Sequence, residues 1–342
     1  MKLLVLGGTS NLGRHAVEAA RARGHEVTLF NRGRTNPGLF GDVERLRGDR
    51  DGGLEALEGR RWDAVLDPSG YLPRQVRASC ALLRDAVRHY TFISSINAYA
   101  ERTRPGLEES DDLAELPADA SPEELTGDSY GPLKVLCERD VRSAFGGRAA
   151  VVRAGLIFGP HDPSERTGYW PLRVAEGGDV LAPGRPERPI QLVDVRDLAG
   201  WLVLLAERGI GGTFNATGPD YTLTMERFLA TCREVAGGKA RFVWLDEQFL
   251  LERKVGPYSE LPLWVPERYH MFATVNCSRA FAAGLTIRPL AETVRDAFEW
   301  ARMLPPVPRQ PTYGRVTMPS ALSRAREREL LQAWRESGVG TA

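Results

Sequence analysis

The chain has 342 residues, 42% of them hydrophobic, and its 45 basic residues balance 45 acidic ones. This length suits one large α/β domain or two unequal ones. Zero net charge provides no basic field for nucleic acid or an anionic membrane, no apolar run is long enough to span a membrane, and the first residues do not resemble a secretory signal. We therefore expect a cytoplasmic enzyme or binding protein whose partner is a small molecule.

The four cysteines lie far apart, at positions 80, 137, 232 and 277, and form no Cys-x-x-Cys pair. Such spacing disfavours both a zinc site and a disulfide framework. We expect reduced thiols and no bound metal.

Strand-like and helix-like segments alternate over the first 150 residues, as in a parallel sheet covered by helices. Apolar runs predict strands over residues 2–7, 25–31, 43–49, 62–69, 89–95 and 149–155. Helical spacing of apolar residues predicts helices over residues 11–24, 51–59, 72–87 and 128–144. The expected fold class is α/β, a Rossmann-type doubly wound parallel sheet, which binds ligands beyond the carboxyl ends of its strands.

Prolines and glycines interrupt this alternation after about residue 156, which is typical of a smaller C-terminal substrate lobe. Further helices are predicted over residues 195–208, 224–237, 289–303 and 319–337, and a strand over residues 212–217. We expect a Rossmann domain over residues 1–155, a substrate lobe over 156–305 with segments that return to the first domain, and a linker with a C-terminal helix over 306–342.

The stretch GGTSNLG joins the first predicted strand to the first predicted helix. Gly7 suits a tight turn, Gly8 the close approach of a phosphate, and Gly13 the packing of the helix on the strand. Backbone N–H groups and the helix dipole would then face a pyrophosphate. The spacing differs from the Gly-x-Gly-x-x-Gly fingerprint, yet it predicts a dinucleotide site. Its residues are Gly7, Thr9, Ser10, Asn11, Leu12 and Gly13.

The end of the second predicted strand bears on the choice of nucleotide. An acid is expected there to hold the adenosine ribose, but the chain has Asn31, followed by Arg32 and Arg34. Because no carboxylate repels a 2′-phosphate and a guanidinium can pair with one, NADP is favoured, while NAD stays open. Asp49 is placed either to accept from the adenine amino group or to cap the next helix. The predicted cofactor site also includes Arg50, Pro68, Ser69 and Gly70.

The motif SYGPLK places Tyr130 and Lys134 four residues apart, on one face of a predicted helix. A nearby ammonium lowers the pKa of a tyrosine and makes it a usable acid or base near neutral pH. Only four of the 45 basic residues are lysines, so few such pairs would arise by chance. The preceding strand ends at Ser94 and Ser95, where a hydroxyl can hydrogen-bond a substrate oxygen or cap a following helix. This combination predicts proton transfer beside a nicotinamide that moves a hydride.

With these segments the chain resembles the short-chain dehydrogenase/reductase superfamily, in particular its extended branch of NAD-dependent epimerase/dehydratase-like proteins. The resemblance covers about residues 1–302 and rests on GGTSNLG, Gly48 with Asp49, FISSINAY, YGPLKVLCE, RAGLIFGPHD, VDVRDLA, GTFNATG and RPLAETVRDAFEW. It implies a catalytic set of Ser95, Tyr130 and Lys134, and it implies that Lys134 also holds the nicotinamide ribose.

Three departures from the pattern of that branch narrow the expected activity. Ser10 stands where a third glycine is usual, but its N–H remains to bind phosphate. Ile96 and Asn97 replace the Asp-Glu pair of sugar-nucleotide 4,6-dehydratases, which disfavours dehydration. Leu156 stands where an asparagine commonly contacts the substrate diphosphate, and an aliphatic side chain cannot make that hydrogen bond. The departures favour a substrate other than a nucleotide sugar.

Several residues are predicted to line the substrate cleft, although a structural role is also open for each. They are Tyr71, Asn97, His161, Tyr169, Trp170 and Arg188. Asp162 and Trp264 are further candidates of the same kind. Asp194 is expected first of all to cap the helix that follows it.

We expect an NAD(P)-dependent oxidoreductase that interconverts a ketone and a secondary alcohol on a small polar or sugar-like substrate. One alternative is an NAD-dependent sugar or nucleotide-sugar epimerase with a tightly retained cofactor. Another is a non-catalytic nucleotide-sensing or RNA-binding protein on the same fold, because GGTxxxG followed by FNRG is similar to chloroplast stem-loop-binding proteins. A homodimer stays open, and the arginine-rich, lysine-poor composition indicates a GC-rich bacterial genome.

Overall fold

The computed structural model describes residues 1–101, 103–304, 312–313, 316–317 and 321–338, and at residues 270–272, 312–313 and 316–317 its backbone alone. The chain divides into two compact units. Unit 1 comprises residues 1–157, 192–220 and 275–287, and unit 2 comprises residues 158–191, 221–274 and 288–342. Each unit is therefore assembled from separated stretches of the sequence.

The strands are β1 Lys2–Leu6, β2 Glu26–Asn31, β3 Glu44–Arg47, β4 Trp62–Asp67, β5 Val87–Ser95, β6 Ala149–Ala154, β7 Ile157–Phe158, β8 Gly178–Pro183, β9 Pro189–Ile190, β10 Val193–Asp194, β11 Gly212–Ala216, β12 Leu223–Thr224, β13 Ala240–Leu245, β14 Thr312–Tyr313 and β15 Val316–Thr317. The helices are α1 Asn11–Ala22, α2 Pro73–Leu83, α3 Tyr130–Phe145, α4 Arg166–Ala175, α5 Val195–Arg208, α6 Met225–Ala236, α7 Glu247–Glu252, α8 Ser278–Ala282, α9 Leu290–Met303 and α10 Arg324–Glu336. Short 3₁₀ segments lie at Glu55–Leu57, Ile96–Ala98, Gly146–Arg148 and Glu267–Ala273.

Seven parallel strands form the central sheet of unit 1, in the order β11-β6-β5-β4-β1-β2-β3. Successive side chains of a strand point to opposite faces of the sheet. In β1, Leu3 and Val5 therefore join a core with α1 and α5, whereas Leu4 and Leu6 join a core with α2 and α3. Both faces are covered by helices, which confirms the predicted Rossmann-type doubly wound α/β fold.

The predicted strands and helices of unit 1 agree with the structure to within a few residues, with one exception. The helix predicted over residues 51–59 is wrong, because only Glu55–Leu57 form a single 3₁₀ turn. Gly52 and Gly59 on either side have φ of +87° and +70°. These left-handed conformations do not belong to a right-handed helix, so the glycines confine the segment to one turn.

In unit 2, the parallel strands β8 and β13 accompany the packed helices α4, α6 and α9. Gly168 allows α4 to approach α9, since a Cβ there would lie 2.6 Å from the Cβ of Ala301. A buried ion pair between Arg173 Nε and Glu327 Oε2, 2.6 Å apart, ties α10 to α4. The helix predicted over residues 319–337 begins later, at Arg324, where Ser323 caps it. Residues 306–311 of the predicted linker lie outside the described residues.

Within the described part of the chain, no helix is both long and apolar enough to cross a membrane. The same residues contain no group of three or more His, Cys, Asp or Glu side chains arranged to hold a metal ion. All four cysteines are buried free thiols.

Candidate functional site

The glycine-rich turn between β1 and α1 is shaped by close contacts that exclude side chains. Gly7 and Gly8 have φ of +117° and +87°, and a Cβ on Gly8 would lie 2.6 Å from Leu29 Cδ2. A Cβ on Gly13 would lie 3.0 Å from the Gly8 nitrogen, so α1 packs directly on the turn. The side chain of Ser10 makes no capping hydrogen bond to the first N–H groups of α1.

Two asparagines hold this turn in place. Asn31 Nδ2 donates to the Gly7 carbonyl at 2.8 Å, and Asn31 Oδ1 accepts from the Gly33 N–H at 2.9 Å. Asn36 Nδ2 donates to the Thr9 carbonyl at 2.8 Å. Asn31 therefore stabilises the turn through both ends of its amide. It is also the residue at the position where an acid was expected to hold the adenosine ribose. Asn36 was not expected from the sequence, because its partner lies 27 residues away.

Arginines surround the end of β2. Arg32 and Arg34 are exposed, and Arg32 Nη1 lies 4.0 Å from Asp49 Oδ2. Arg47 lies opposite Asn31 in the β2–β3 register, and a Cβ on Gly33 would be 3.4 Å from Arg47 Nε. Sequence reasoning missed Arg47, which only the pairing of β3 with β2 brings to this place.

Arg50 lies in the interior of unit 1. Its terminal nitrogens donate to both carboxylate oxygens of Asp67, at 2.5 and 2.8 Å, and Asp67 is fully buried. Tyr90 Oη donates to the same carboxylate at 2.8 Å. The predicted cofactor role of Arg50 stays a prediction, but its guanidinium is already engaged in a buried, bidentate ion pair.

The turn after β4 is joined to the turn after β1. Ser69 Oγ donates to the Leu6 carbonyl at 2.7 Å, and Pro68 Cγ would lie 3.3 Å from a Cβ on Gly13. Gly70 cannot carry a side chain, since its Cβ would lie 2.6 Å from the Phe92 ring. The structure thus brings the predicted cofactor residues of both turns to the same end of the sheet, as parallel strands require.

Ser95 is the last residue of β5, and the backbone and side-chain amides of Asn97 both lie 3.2 Å from its Oγ as donors. Helix α3 begins beside this turn at Tyr130. A Cβ on Gly131 would be 2.0 Å from the Asn97 carbonyl oxygen, so the first turn of α3 is in backbone contact with the segment that follows Ser95. The three residues of the expected catalytic set therefore come from two elements that touch.

The side chain of Lys134, one turn further along α3, is almost completely buried. Its Nζ donates to the carbonyls of Gly70 and Ile93 at 2.6 and 2.8 Å. The ammonium also lies 4.8 Å from the centre of the Tyr71 ring and 5.9 Å from that of Tyr130, within the range of cation–π attraction. Burial lowers the pKa of Lys134 to about 8.

A second layer of buried polar groups supports the end of β5. Ser94 Oγ donates to Glu138 Oε1 at 2.5 Å, and Glu138 is one helical turn beyond Lys134. Arg153 donates to both Glu138 oxygens, at 3.0 and 2.9 Å, and its guanidinium carbon lies 4.8 Å from the Tyr99 ring centre. Sequence reasoning did not single out Glu138, although its position four residues after Lys134 on the same helix face was a usable signal.

The residues predicted to line a substrate cleft fall in both units. In unit 1, Tyr71 packs on Lys134 and Asn97 on Ser95, as described above. In unit 2, the ring of His161 packs edge-on against Trp300, and Trp170 is fully buried with its Nε1 donating to the Pro262 carbonyl at 2.6 Å. Tyr169 is buried edge-on against Trp170, so these two aromatics pack inside unit 2.

The remaining polar candidates have local partners. Arg188 Nη1 donates to Glu247 Oε2 at 2.6 Å. Asp162 accepts from Ser164 and Thr167, as a capping aspartate does. Asp194 caps α5 by accepting from the Arg196 N–H at 2.8 Å, which confirms its expected structural role.

No family model and no curated protein sequence matches the chain, whereas solved structures do. A UDP-N-acetylglucosamine 4-epimerase from Bacillus cereus has a TM-score of 0.64 at 18% identity, over 90% of this chain and 99% of that one. A UDP-glucose 4-epimerase from Thermotoga maritima has a TM-score of 0.65 at 17% identity, over 88% and 99%. A UDP-glucose 4-epimerase from Thermus thermophilus, solved in complex with NAD, has a TM-score of 0.62 at 20% identity, over 89% and 99%. The chain has the Rossmann-type α/β fold of these nucleotide-sugar epimerases, in agreement with the resemblance seen in the sequence.

Proposed function

We propose that this chain is an NAD(P)-dependent oxidoreductase that interconverts a ketone and a secondary alcohol on a small polar or sugar-like substrate. The observation that carries the proposal is Lys134, a buried ammonium near the carboxyl ends of β4 and β5 that lies within 6 Å of the ring centres of Tyr71, Phe92 and Tyr130. A lysine is rarely buried without a role for its charge, and perturbed pKa values concentrate at functional sites.

The turn after β1 fits a dinucleotide. The missing Cβ atoms of Gly7 and Gly8 open the backbone to a phosphate, and the N-terminus of α1 lies behind them. Arg32, Arg34 and Arg47 supply positive charge where an NAD-specific site has an acid, which favours NADP. NAD stays open as the cofactor, since several structural neighbours were solved with NAD. A bound nicotinamide would supply or accept the hydride.

Tyr130 is the proton donor when a carbonyl is reduced and the acceptor when an alcohol is oxidised. The positive charge of Lys134, 5.9 Å from the centre of the Tyr130 ring, favours the phenolate form that proton transfer requires. Ser95 Oγ accepts from two N–H groups of Asn97, and in this mechanism its own O–H donates to the substrate oxygen. Each of the three side chains thus has a separate part in the transfer.

The substitution Tyr130→Phe tests the mechanism, because it removes only the hydroxyl. We expect kcat to fall by about 10²-fold to 10⁴-fold, the usual contribution of a positioned acid or base, while the Kd for the nucleotide changes little. Steady-state rates and nucleotide titration measure the two quantities. The matched control is Tyr221→Phe, at a half-exposed tyrosine of unit 2, which should leave both unchanged. Full activity in Tyr130→Phe would contradict the mechanism.

A second candidate function is epimerisation, because the structural neighbours are 4-epimerases. Such an enzyme takes a hydride from a sugar carbon and returns it to the opposite face, so it keeps its nucleotide. A dehydrogenase or reductase exchanges the nucleotide at every turnover. The same Ser95, Tyr130 and Lys134 chemistry serves both, and nucleotide retention separates them.

A further inference from the structure

A cluster of polar groups in unit 2 lies beyond the carboxyl ends of the parallel strands β8 and β13. Pro183 is the register partner of Leu245, and the next N–H along, that of Gly184, donates to the Leu245 carbonyl at 2.8 Å. Glu247 follows two residues after the end of β13. Ligands of parallel sheets bind at this end of the strands, so the position is a suitable one for a subsite.

Two nitrogen donors converge on Gly184. The closest atoms to a Cβ built on this glycine are Trp264 Nε1 at 3.9 Å and Arg188 Nη1 at 4.0 Å, leaving its chain neighbours aside. Arg188 in turn donates to Glu247 Oε2 at 2.6 Å. We call Gly184, Arg188, Glu247 and Trp264 the Gly184 cluster.

The indole N–H of Trp264 has no hydrogen-bond partner among the described residues, although the side chain is only 1% exposed. A buried donor without an acceptor costs about 1–3 kcal/mol, so native proteins seldom retain one without a reason. Trp170 provides a contrast in the same unit, because its N–H donates to the Pro262 carbonyl at 2.6 Å.

The loop that carries Trp264 is held in an unusual conformation. Tyr258 and Leu263 have φ of +61° and +70°, a region that bulky side chains rarely occupy. A 2.7 Å hydrogen bond from the Tyr258 N–H to the Trp264 carbonyl closes the loop. Backbone strain of this kind concentrates at ligand sites, where it fixes a side chain in a set position.

The charges around the cluster do not suit a phosphate. Glu247 neutralises Arg188, and both Glu247 oxygens also accept from the Glu267 N–H, at 2.9 and 2.8 Å. Arg185 is paired with Glu187 at 3.1 Å and with Glu267 at 2.7 Å. These ion pairs join two arginines to three glutamates, so no guanidinium charge is left over for an anion. A hydroxyl group suits the arrangement better, since it accepts from one partner and donates to another.

We propose that the Gly184 cluster binds an uncharged, hydroxyl-bearing small molecule, such as a sugar or polyol, with the Trp264 N–H donating to a hydroxyl oxygen and the Glu247 carboxylate accepting a hydroxyl hydrogen. The inference goes beyond the proposed function, because it concerns a ligand of unit 2 alone. The proposal excludes binding of a nucleoside diphosphate through these residues.

The indole N–H resonances of the full chain, labelled with ¹⁵N-tryptophan, provide the test. The resonance of Trp264 is assigned by its loss in Trp264→Phe, and the protein is then titrated separately with D-glucose, myo-inositol, UDP and inorganic phosphate. We expect at least one of the two polyols to shift the Trp264 resonance in a saturable way, and UDP and phosphate to leave it in place. The resonances of Trp62 and Trp170 serve as internal controls, because their N–H groups already donate to Thr28 Oγ1 at 3.0 Å and Pro262 O at 2.6 Å.

A Trp264 resonance that moves with neither polyol, or that moves with UDP or phosphate, overturns the proposal. The variant Glu247→Gln tests the charge argument separately, because it removes the negative charge that neutralises Arg188. In that variant phosphate should now shift the Trp264 resonance, and an unchanged spectrum would contradict the charge argument. The titration requires neither nucleotide nor turnover, so the two proposals can fail separately. A protein that binds polyol but has no activity would contradict only the proposed oxidoreductase. An active enzyme whose Trp264 resonance does not move would contradict only the proposed polyol site.

Discussion

Lys134 shows the energetic cost of burying a charged side chain at the candidate site. Its ammonium is removed from water and receives in return two carbonyl oxygens and the faces of aromatic rings. These partners do not fully replace hydration, and the pKa of Lys134 is therefore lowered from 10.5 to about 8. The folded protein thus carries a charge that it would be more stable without, as is common at functional sites.

This cost predicts a pH dependence of stability. Below about pH 8, Lys134 is charged in both the folded and the unfolded chain, and the full penalty of burial applies. Between about pH 8 and 10.5, Lys134 is deprotonated in the folded chain but still protonated in the unfolded chain. The free energy of unfolding of the wild type therefore rises with pH over this interval. The free energy of unfolding of Lys134→Met, minus that of the wild type, should accordingly fall by about 3 kcal/mol across this interval.

Urea unfolding of both proteins at a series of pH values measures this difference. Lys239→Met is the matched control, because Lys239 is exposed and its substitution should give a difference that stays flat over the same interval. A pH-independent difference for Lys134→Met would show that the ammonium is not destabilised by burial.

At the scale of elements, α3 begins against the 3₁₀ turn Ile96–Ala98, which directly follows Ser95. The contact depends on the absence of a side chain at Gly131, above which the Asn97 carbonyl lies. Because the obstructing atom belongs to the backbone, no side-chain rotation can make room for a methyl group.

Gly131→Ala should therefore displace α3 from the turn. We expect a loss of about 2 kcal/mol or more in the free energy of unfolding, as for other overpacked sites, together with a lower kcat. Gly200→Ala is the control in another helix, α5, where nothing lies within 4 Å of a Cβ; it should stabilise the protein by about 0.5–1 kcal/mol. Urea unfolding and initial rates compare the two, and equal stability of both variants would exclude the proposed contact.

The attachment of α10 within unit 2 depends on a buried carboxylate. Glu327 accepts from Arg173 Nε at 2.6 Å and from the Leu181 N–H at 3.0 Å. Glu327→Gln removes the close counter-charge of the buried Arg173 guanidinium and leaves only the exposed Glu176 carboxylate, 3.9 Å away. We therefore expect a loss of about 3 kcal/mol in the free energy of unfolding. Glu329→Gln, on the exposed side of the same helix, should have no measurable effect in the same urea titration. Similar stability of the two variants would mean that the buried pair does not hold α10.

At the scale of the whole molecule, the nucleotide distinguishes the two candidate functions. The dehydrogenase or reductase proposed here exchanges its cofactor, so the purified protein should release little nucleotide on denaturation. Added NADP should stabilise it more than the same concentration of NAD, because a ligand stabilises the folded state in proportion to its affinity. Mass spectrometry of the released fraction and thermal unfolding with each nucleotide measure these outcomes. Retained NAD would instead favour the epimerase, and NAD binding without NADP affinity would contradict the interpretation of Asn31 and its neighbouring arginines.

The alternation of strands and helices, the glycine turn and the Tyr130–Lys134 spacing could be predicted because they depend on residues close together in the chain. Hydrophobic periodicity and turn chemistry are local properties, and a four-residue spacing fixes a helix face. The helix predicted over residues 51–59 shows the limit of this reasoning, since periodicity was outweighed by the left-handed glycines Gly52 and Gly59.

The sequence by itself thus determined the fold class and the residue types of the candidate site, whereas the tertiary structure decided which groups meet. Arg50 was predicted to face a cofactor, yet its guanidinium pairs with Asp67, 17 residues away. Arg47 joins the arginines beside Asn31 only through the register of β2 and β3. Trp264 and Gly184 approach each other across 80 residues of chain. The physical reason is that a side chain's partner is set by the strand order and packing of distant segments, which no local pattern encodes.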